Sequence, residues 1–419
     1  MSQPASPQPL LLNKRKIIND PVYGFITIPT DLVFDLIGHE WFQRLSRIRQ
    51  LGMTYLVYPG AVHSRLQHAL GAMHLMQQAL EILKSKGAEI SGEEAEAVTI
   101  CILLHDLGHG PFSHTLEKLL VSNVSHEELT LLMMEELNKQ FKGKLDLALT
   151  IFKGNHPKRF LHELVSSQLD MDRLDYLNRD SFFTGVAEGV IGYDRIIKML
   201  AVHNNELVVE EKGIYSIEKF LISRRLMYWQ VYLHKTVLAA EEMLVQIIRR
   251  ARQISLDRML LCSPALSWFL THEVHPIDFS WNGEILNRFA ELDDTDIFSA
   301  LKQWKNDADT VLSYLCSHLL SRKLLKIQLQ QQPFEEQQIF AFRNALRKFP
   351  SLSAAEYDLL VISESTSNHA YNPTTETIKI LFKDGSVKDV SEASDLLNIS
   401  ALKKPVTKYY LCYPRELVE

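Results

Sequence analysis

Cysteine is scarce in this chain. Cys101, Cys262, Cys316 and Cys412 are the only four in 419 residues and stand far apart, so neither a paired-cysteine zinc ribbon nor a disulfide framework can be drawn from them, and a reducing compartment fits. Surplus positive charge is missing as well. Lys and Arg number 45 against 51 Asp and Glu, a formal net charge of −6, which supplies no basic field for duplex DNA, so any polyanion must be met by a local cluster. No run approaches the roughly 18 apolar residues of a membrane span, and the opening MSQPASPQPLLLNKRK has three leucines where a secretory signal needs a longer apolar core. A cytoplasmic protein is expected. No internal repeat is visible, and QLQQQPFEEQQ (328–338) is the only compositionally biased segment. What is present, 46% hydrophobic and 23% charged residues, is the composition of a folded globular chain with ample material for a core.

The pattern divides the chain into four stretches. Residues 1–16 read as a flexible tail rich in Pro, Ser and Gln, 17–255 as a mainly helical body, 256–350 as a helical extension, and 351–419 as a C-terminal α+β lobe. Apolar residues three and four apart mark helices over DLVFDLIGHEWFQRLSRIRQLG, HSRLQHALGAMHLMQQALEILKSKG, GEEAEAVTICILLHDLG, HEELTLLMMEELNKQF, RFLHELVSSQLDMDRLDYLNRD and YSIEKFLISRRLMYWQVYLHKTVLAAEEMLVQIIRRAR. Two small hairpins are expected at 19–29 and 203–217. Beyond Ala354, EYDLLVISE, ETIKILFKDGSVKDV and TKYYLCYP read as strands, with a hairpin turn at Lys383-Asp384-Gly385-Ser386. The fold class is mainly α, with small β hairpins and the C-terminal α+β lobe.

The chemistry concentrates in CILLHDLGHGPFSH (101–114). His105-Asp106 falls on the last turn of a helix that Gly108 ends, and Gly110-Pro111 puts His109 and His114 on a fixed turn beside it. Neutral imidazole and ionised carboxylate on adjacent residues suit a divalent cation. An isolated His-Asp pair is more often a helix-end ion pair, and here its company decides. Upstream, Arg65 and His68 share a helix face next to Gly71. Downstream, Asp172, Tyr176 and Asp180 form a polar stripe at helical spacing, and Arg224, Tyr228 and Tyr232 repeat it, followed by Lys235. His63, His74, His162 and His234 show no comparable pattern and read as packing or surface histidines. The RRAR run (249–252) reads as a solvated helix end.

The order His68, His105-Asp106, Asp172 resembles the H…HD…D signature of the HD-domain metal-dependent phosphohydrolases. NDPVYGFITIP, FQRLSRIRQLG, YPGAVHSRLQHALG, HDLGHGPFSH, DMDRLDYLNRD and YWQVYLHK resemble, in the same order, segments of the deoxynucleoside triphosphate triphosphohydrolases, both the bacterial enzymes and the vertebrate enzyme with a SAM domain, though no SAM domain is expected here. That resemblance implies an HD-domain helical fold over 17–255 and a divalent metal ion, Fe, Mn, Co, Ni, Zn or Mg, held by His68, His105, Asp106 and Asp172. It implies His109, His114 and His126 around the reacting phosphate, with Glu117 in place of the family's aspartate. Arg65, Arg173 and Arg224 would meet the triphosphate. Gln50, Tyr176, Asp180 and Tyr232 would bind the sugar, Asp180 and Gln50 at the 3′-hydroxyl and Tyr232 under the ring, with Leu51 and Tyr228 completing the substrate-binding set.

On this reading a metal lowers the pKa of water to about 7 to supply a nucleophile, and arginines stabilise the phosphoryl oxygens. His114, near Glu117, protonates the departing 5′-oxygen. Attack at the α-phosphorus would yield deoxynucleoside and tripolyphosphate. The family's nucleotide-activator aspartate and arginine fall at Gly38 and Ser46, so that activator site is not expected. A homo-oligomer is expected by analogy. The alternatives are a phosphohydrolase of another phosphoester, such as a nucleoside monophosphate, and a non-catalytic nucleotide- or nucleic-acid-binding regulator. A cyclic-dinucleotide branch is disfavoured because Gly192-Tyr193 is followed by Asp194 where that branch has proline.

Overall fold

The computed structural model describes residues 16–121, 124–281, 283–348, 352–368, 371–372, 377–395, 402 and 404–417. The expected tail, apart from Lys16, lies outside the described residues. The fold is mainly helical, and its centre is the Gly92–Leu104 helix, in which every residue from Ala97 to Leu104 is buried. A helix apolar on all sides belongs inside a bundle. Its neighbours are the Arg65–Ser85 helix, which also packs on the Met171–Thr184 helix, and the Asp146–Phe152 helix. Local sequence sets where these helices begin. Ser64 with Gln67, Ser91 with Glu94 and Ser125 with Glu128 each form a capping box, in which the serine oxygen takes an otherwise orphaned helix N–H and the N3 side chain returns a bond to the cap.

Several segments expected as single helices are broken, and caps explain the breaks. The 31–52 pattern stops at Gly38, restarts over Glu40–Arg44 with His39 Nδ1 accepting from Trp41 N, and then leaves the α-helix. Residues 159–180 split into Arg159–Glu163 and Met171–Thr184, because the buried Asp170 side chain caps the second helix at Arg173 N. The long 215–252 helix splits into Ile214–Met227 and Lys235–Ser255, joined by one π-helical turn over Tyr228–Tyr232. The Gly92–Leu104 helix ends four residues before Gly108, with His105 as its C-cap.

The N-terminal hairpin pairs β1 (Ile17–Asp20) with β2 (Gly24–Thr27). The second hairpin sits earlier than expected: β3 (Leu200–His203) and β4 (Glu206–Glu210) flank Asn204-Asn205, both at positive φ, the geometry of a tight two-residue turn. Ile214 onward is helix instead. EYDLLVISE is likewise only half strand. The capping pair of Ser353 and Glu356 starts a helix over Ala354–Leu360, and the strand begins only at Ile362. Among the described residues the sheets run β3-β4-β7-β8 and β5-β9-β6, with β5 (Lys326–Gln330), β6 (Ile362–Asn368), β7 (Lys379–Leu381), β8 (Val387–Asp389) and β9 (Val406–Tyr413). β7 pairs with β4 in parallel, joining Val209 to Ile380, and β9 lies between β5 and β6. The C-terminal strands are thus shared with earlier segments, and the β7–β8 turn carries Gly385 at positive φ as expected. No helix among the described residues is long and apolar enough to cross a membrane.

Candidate active site

Three helix segments bring the His and Asp side chains together. The Arg65–Ser85 helix contributes His68, the end of Gly92–Leu104 presents His105 and Asp106, and the first turn of Met171–Thr184 presents Asp172. His68 Nε2 lies 3.3 Å from His105 Nε2, and Asp172 Oδ1 is 3.1 Å from the first and 3.6 Å from the second. These are separations of donors that can share one ion at about 2.1 Å, and His68, His105 and Asp172 form a cluster able to hold a metal. Asp106 stands beside it, 3.4 Å from His105 Nε2 and 3.8 Å from His68 Nε2, while Arg65 donates to its Oδ2 at 2.7 Å and His109 Nε2 lies 3.2 Å from Oδ1.

The electrostatics fit a cation. Burial alone would lower the His68 imidazole, yet the hydrogen-bonded Asp172 and Asp175 outweigh it and push its pKa up to about 10. Asp172, although burial pushes it upward, is held well below the usual carboxylate range by His105 and His68. Imidazole with carboxylate is the donor set of a borderline transition metal.

The turn after Asp106 is fixed from two sides. Gly108 N donates to Thr130 Oγ1 at 2.9 Å, and that hydroxyl donates to His105 O at 2.9 Å. A Cβ on Gly108 would lie 2.1 Å from His126 O and 2.4 Å from Thr130 N, so glycine here allows the helix bearing His126 to touch the turn bearing His105. From the other side the fully buried Arg44 donates to the carbonyls of Leu107 at 2.7 Å and His109 at 2.9 Å, and to Leu292 O at 2.9 Å. Burial lowers its pKa to about 10, which leaves it charged at neutral pH. The rings of His109 and His126 stack at 4.0 Å, and Glu117 Oε1 accepts from His126 N at 2.6 Å and lies 3.1 Å from its Nδ1. His109 is held well below its ordinary pKa by burial and by Arg65, hence neutral. The side chain of His114 lies outside the described residues.

A cavity of about 830 Å³ opens onto this cluster. Of the residues named from sequence, it is lined by Gln50, Leu51, Arg65, His105, Asp106, His109, His126, Asp172, Arg173, Tyr176, Asp180, Arg224, Tyr228 and Tyr232; His68 is buried behind the wall and Glu117 stands behind His126. Tyr232, on the π-helical turn, donates to Asp180 Oδ2 at 2.8 Å, and its ring meets those of Tyr228 and Tyr176 edge-on at 5.1 and 6.2 Å. Arg173 pairs with Asp170 and Arg224 donates to Gln168 Oε1 at 3.1 Å. Each of these arginines also keeps its Nε–H buried with no acceptor among the described residues, as does Nη1 of Arg49 on the same wall. Buried donors without acceptors are costly unless a ligand supplies them.

Comparison with known proteins matches residues 65–180 to the HD domain and residues 191–260 to the HD associated region. A crystal structure of a phosphohydrolase from Bacteroides thetaiotaomicron shares the fold with a TM-score of 0.93 and 52% identity, over 96% of this chain and all of that one. The uncharacterized Bacillus subtilis protein YwfO is 32% identical over 422 residues, 97% of this chain and 94% of that protein. The chain belongs to the HD-domain phosphohydrolases. The deoxynucleoside triphosphate triphosphohydrolase SAMHD1 homolog of Dictyostelium discoideum is 31% identical over 257 residues, 57% of this chain and 50% of its own length, so this HD-domain phosphohydrolase spans about half of that relative.

Sequence reasoning missed several residues of the phosphohydrolase site. His63, read as a packing or surface residue, is buried with Nε2 2.8 Å from Asp180 Oδ1 and its ring stacked on Phe183. Its place two residues before Arg65, inside the segment YPGAVHSRLQHALG, was the available signal. His162, read the same way, lines the cavity. Asp175, one helical turn after Asp172, accepts from His68 at 2.7 Å. Arg44, Arg49, Gln168 and Glu241 have no periodic or motif signature that separates them from ordinary helix residues.

Proposed function

We propose that this HD-domain phosphohydrolase hydrolyses deoxynucleoside triphosphates to deoxynucleoside and tripolyphosphate. The observation that carries the reading is a His-His-Asp cluster opening onto a cavity whose walls carry Arg49, Arg65, Arg173 and Arg224, which together suit a polyanion whose phosphorus lies at the cluster. His68, His105, Asp106 and Asp172 would hold a divalent metal. When bound, such an ion activates water at neutral pH and polarises a phosphoryl oxygen.

The remaining roles belong to side chains. Arg65 spans the cluster and the cavity, so one guanidinium orients Asp106 and faces the phosphate. Arg173 and Arg224, already oriented by Asp170 and Gln168, line the cavity as the cations that meet the triphosphate oxygens, and this pre-ordering lowers the cost of binding. Asp180, fixed by His63 and Tyr232, accepts from a sugar hydroxyl, and the Tyr176, Tyr228 and Tyr232 rings wall the sugar. The stacked His109 and His126, the latter oriented by Glu117, line the reacting phosphate, and His114, which the structure puts in the Ser113–Leu120 helix and not on the turn of His109, is assigned the proton donated to the departing 5′-oxygen.

The test is product analysis. Metal-analysed protein and its His105→Ala variant are incubated with each dNTP, each NTP and a deoxynucleoside monophosphate, and products are separated by chromatography. Deoxynucleoside with tripolyphosphate, lost in the variant, supports the proposal. Cleavage of the monophosphate alone, or of no nucleotide with any divalent metal, refutes it.

A further inference from the structure

We propose that Asp175, Arg179 and Asp20 form a buried positioning relay that fixes the tautomer and orientation of His68, so that the N-terminal hairpin sets the affinity of the cluster for its metal. The inference rests on the metal reading given above. His68 Nδ1 lies 2.7 Å from Asp175 Oδ2. A carboxylate there accepts from Nδ1–H, which leaves Nε2 as the bare nitrogen facing His105 and Asp172. Asp175 is itself gripped by Arg179, whose Nε and Nη2 donate at 3.0 and 3.1 Å. The same guanidinium reaches across 159 residues of sequence to Asp20 at the end of β1, with Nη1 to Oδ2 at 2.7 Å and Nη2 to Oδ1 at 3.3 Å.

The relay is dry and tightly fitted. His68, Asp175 and Arg179 are fully buried and Asp20 nearly so. A Cβ on Gly71 would lie 2.1 Å from both Arg179 Nη2 and Asp175 Oδ1, so the helix bearing His68 carries glycine where the Asp175–Arg179 pair crosses it. Asp20 is tied to its own turn, its Oδ1 accepting from Val22 N at 2.9 Å and Tyr23 N at 3.0 Å. One arginine is thus divided between two carboxylates. Remove the charge on Asp20 and Arg179 is left to Asp175 alone, drawing its negative charge away from His68 and making Nε2 a poorer donor. Outer partners of a ligating histidine commonly change metal affinity by about 10–100-fold.

Asparagine at 20 keeps the Oδ1 acceptor for the Val22 and Tyr23 N–H groups, so the hairpin turn survives the substitution, while it removes the anion and replaces the Oδ2 acceptor of Arg179 by an amide donor. The full chain is stripped with chelator and titrated with Co²⁺, with the visible absorption of bound Co²⁺ as the readout. Wild type, Asp20→Asn, Asp175→Asn and Phe25→Ala are compared, the last altering an exposed residue of the same hairpin. The urea midpoint of each metal-free protein is measured in parallel. The expected result is Co²⁺ affinity weakened about 10–100-fold by Asp175→Asn, on the order of tenfold by Asp20→Asn and not by Phe25→Ala, with metal-free Asp20→Asn still folded. Affinity within twofold of wild type in Asp20→Asn, or an equal loss in Phe25→Ala, overturns the relay. If wild type binds no Co²⁺, the metal reading falls and the relay with it; if binding follows the expected order but no dNTP is cleaved, the relay stands and only the substrate reading falls.

Discussion

Replacing Gly108 by alanine isolates how closely the His105 turn and the His126 helix depend on one another. The backbone of Gly108 is outside the left-handed region, so an alanine is conformationally acceptable and local propensity predicts no loss. Tertiary contact predicts the opposite. The new Cβ would lie 2.1 Å from His126 O and 2.4 Å from Thr130 N, both backbone atoms that cannot rotate away, so the two segments must part by more than about 1 Å to reach ordinary contact. Overpacking of this kind costs about 1–3 kcal/mol, and the two hydrogen bonds through Thr130 Oγ1 add about 1 kcal/mol each. The expected destabilisation is about 3–5 kcal/mol by urea titration. A displacement of about 1 Å in a catalytic group also lowers turnover by about 100-fold. A Gly108→Ala, Thr130→Ala double variant should recover little, because the closest clash is with His126 O and survives. Wild-type stability and kcat in Gly108→Ala would refute the packing argument.

Arg44→Met keeps the side-chain volume but orphans the carbonyls of Leu107, His109 and Leu292, so a loss of about 3–5 kcal/mol is expected in chemical denaturation; a change under about 1 kcal/mol would contradict the clamp. Tyr232→Phe removes the 2.8 Å bond to Asp180, and with His63 still in place KM for a dNTP should rise on the order of tenfold with a smaller change in kcat; an unchanged KM would place the sugar elsewhere. Glu241 is pushed up to about 8 by burial and by neighbouring Glu242, so the folded state binds its proton more tightly than the unfolded state does. Stability from this group is greatest at acid pH and is lost as pH rises from about 4.5 to 8. Glu241→Gln should therefore be the more stable protein above pH 8, by a few kcal/mol after allowance for its partial exposure, with the gap closing towards pH 5; parallel urea midpoints across pH would contradict this.

The legible parts of the protein were those written locally. Capping serines with Gln or Glu three residues on, the apolar run of Gly92–Leu104, the Asp384-Gly385 turn and the polar stripe Asp172, Tyr176, Asp180 each announce themselves within one element, because caps, turns and helix faces are short-range geometry. The order His68, His105-Asp106, Asp172 pointed to a metal-binding phosphohydrolase for the same reason: residue type and spacing are properties of the string. Helix lengths were overread wherever a cap interrupted a continuing apolar pattern, as at His39, Asp170 and His234. His63 and Arg44 looked ordinary because their partners, Asp180 and the carbonyls of Leu107, His109 and Leu292, lie 63 to 248 residues away. The sequence by itself determined which groups could hold a cation and which stretches of the body are helical. Only the tertiary structure decided which carboxylate faces which imidazole, since a hydrogen bond of 2.7 Å between His68 and Asp175, or an arginine shared by Asp175 and Asp20, depends on distances that no one-dimensional pattern contains.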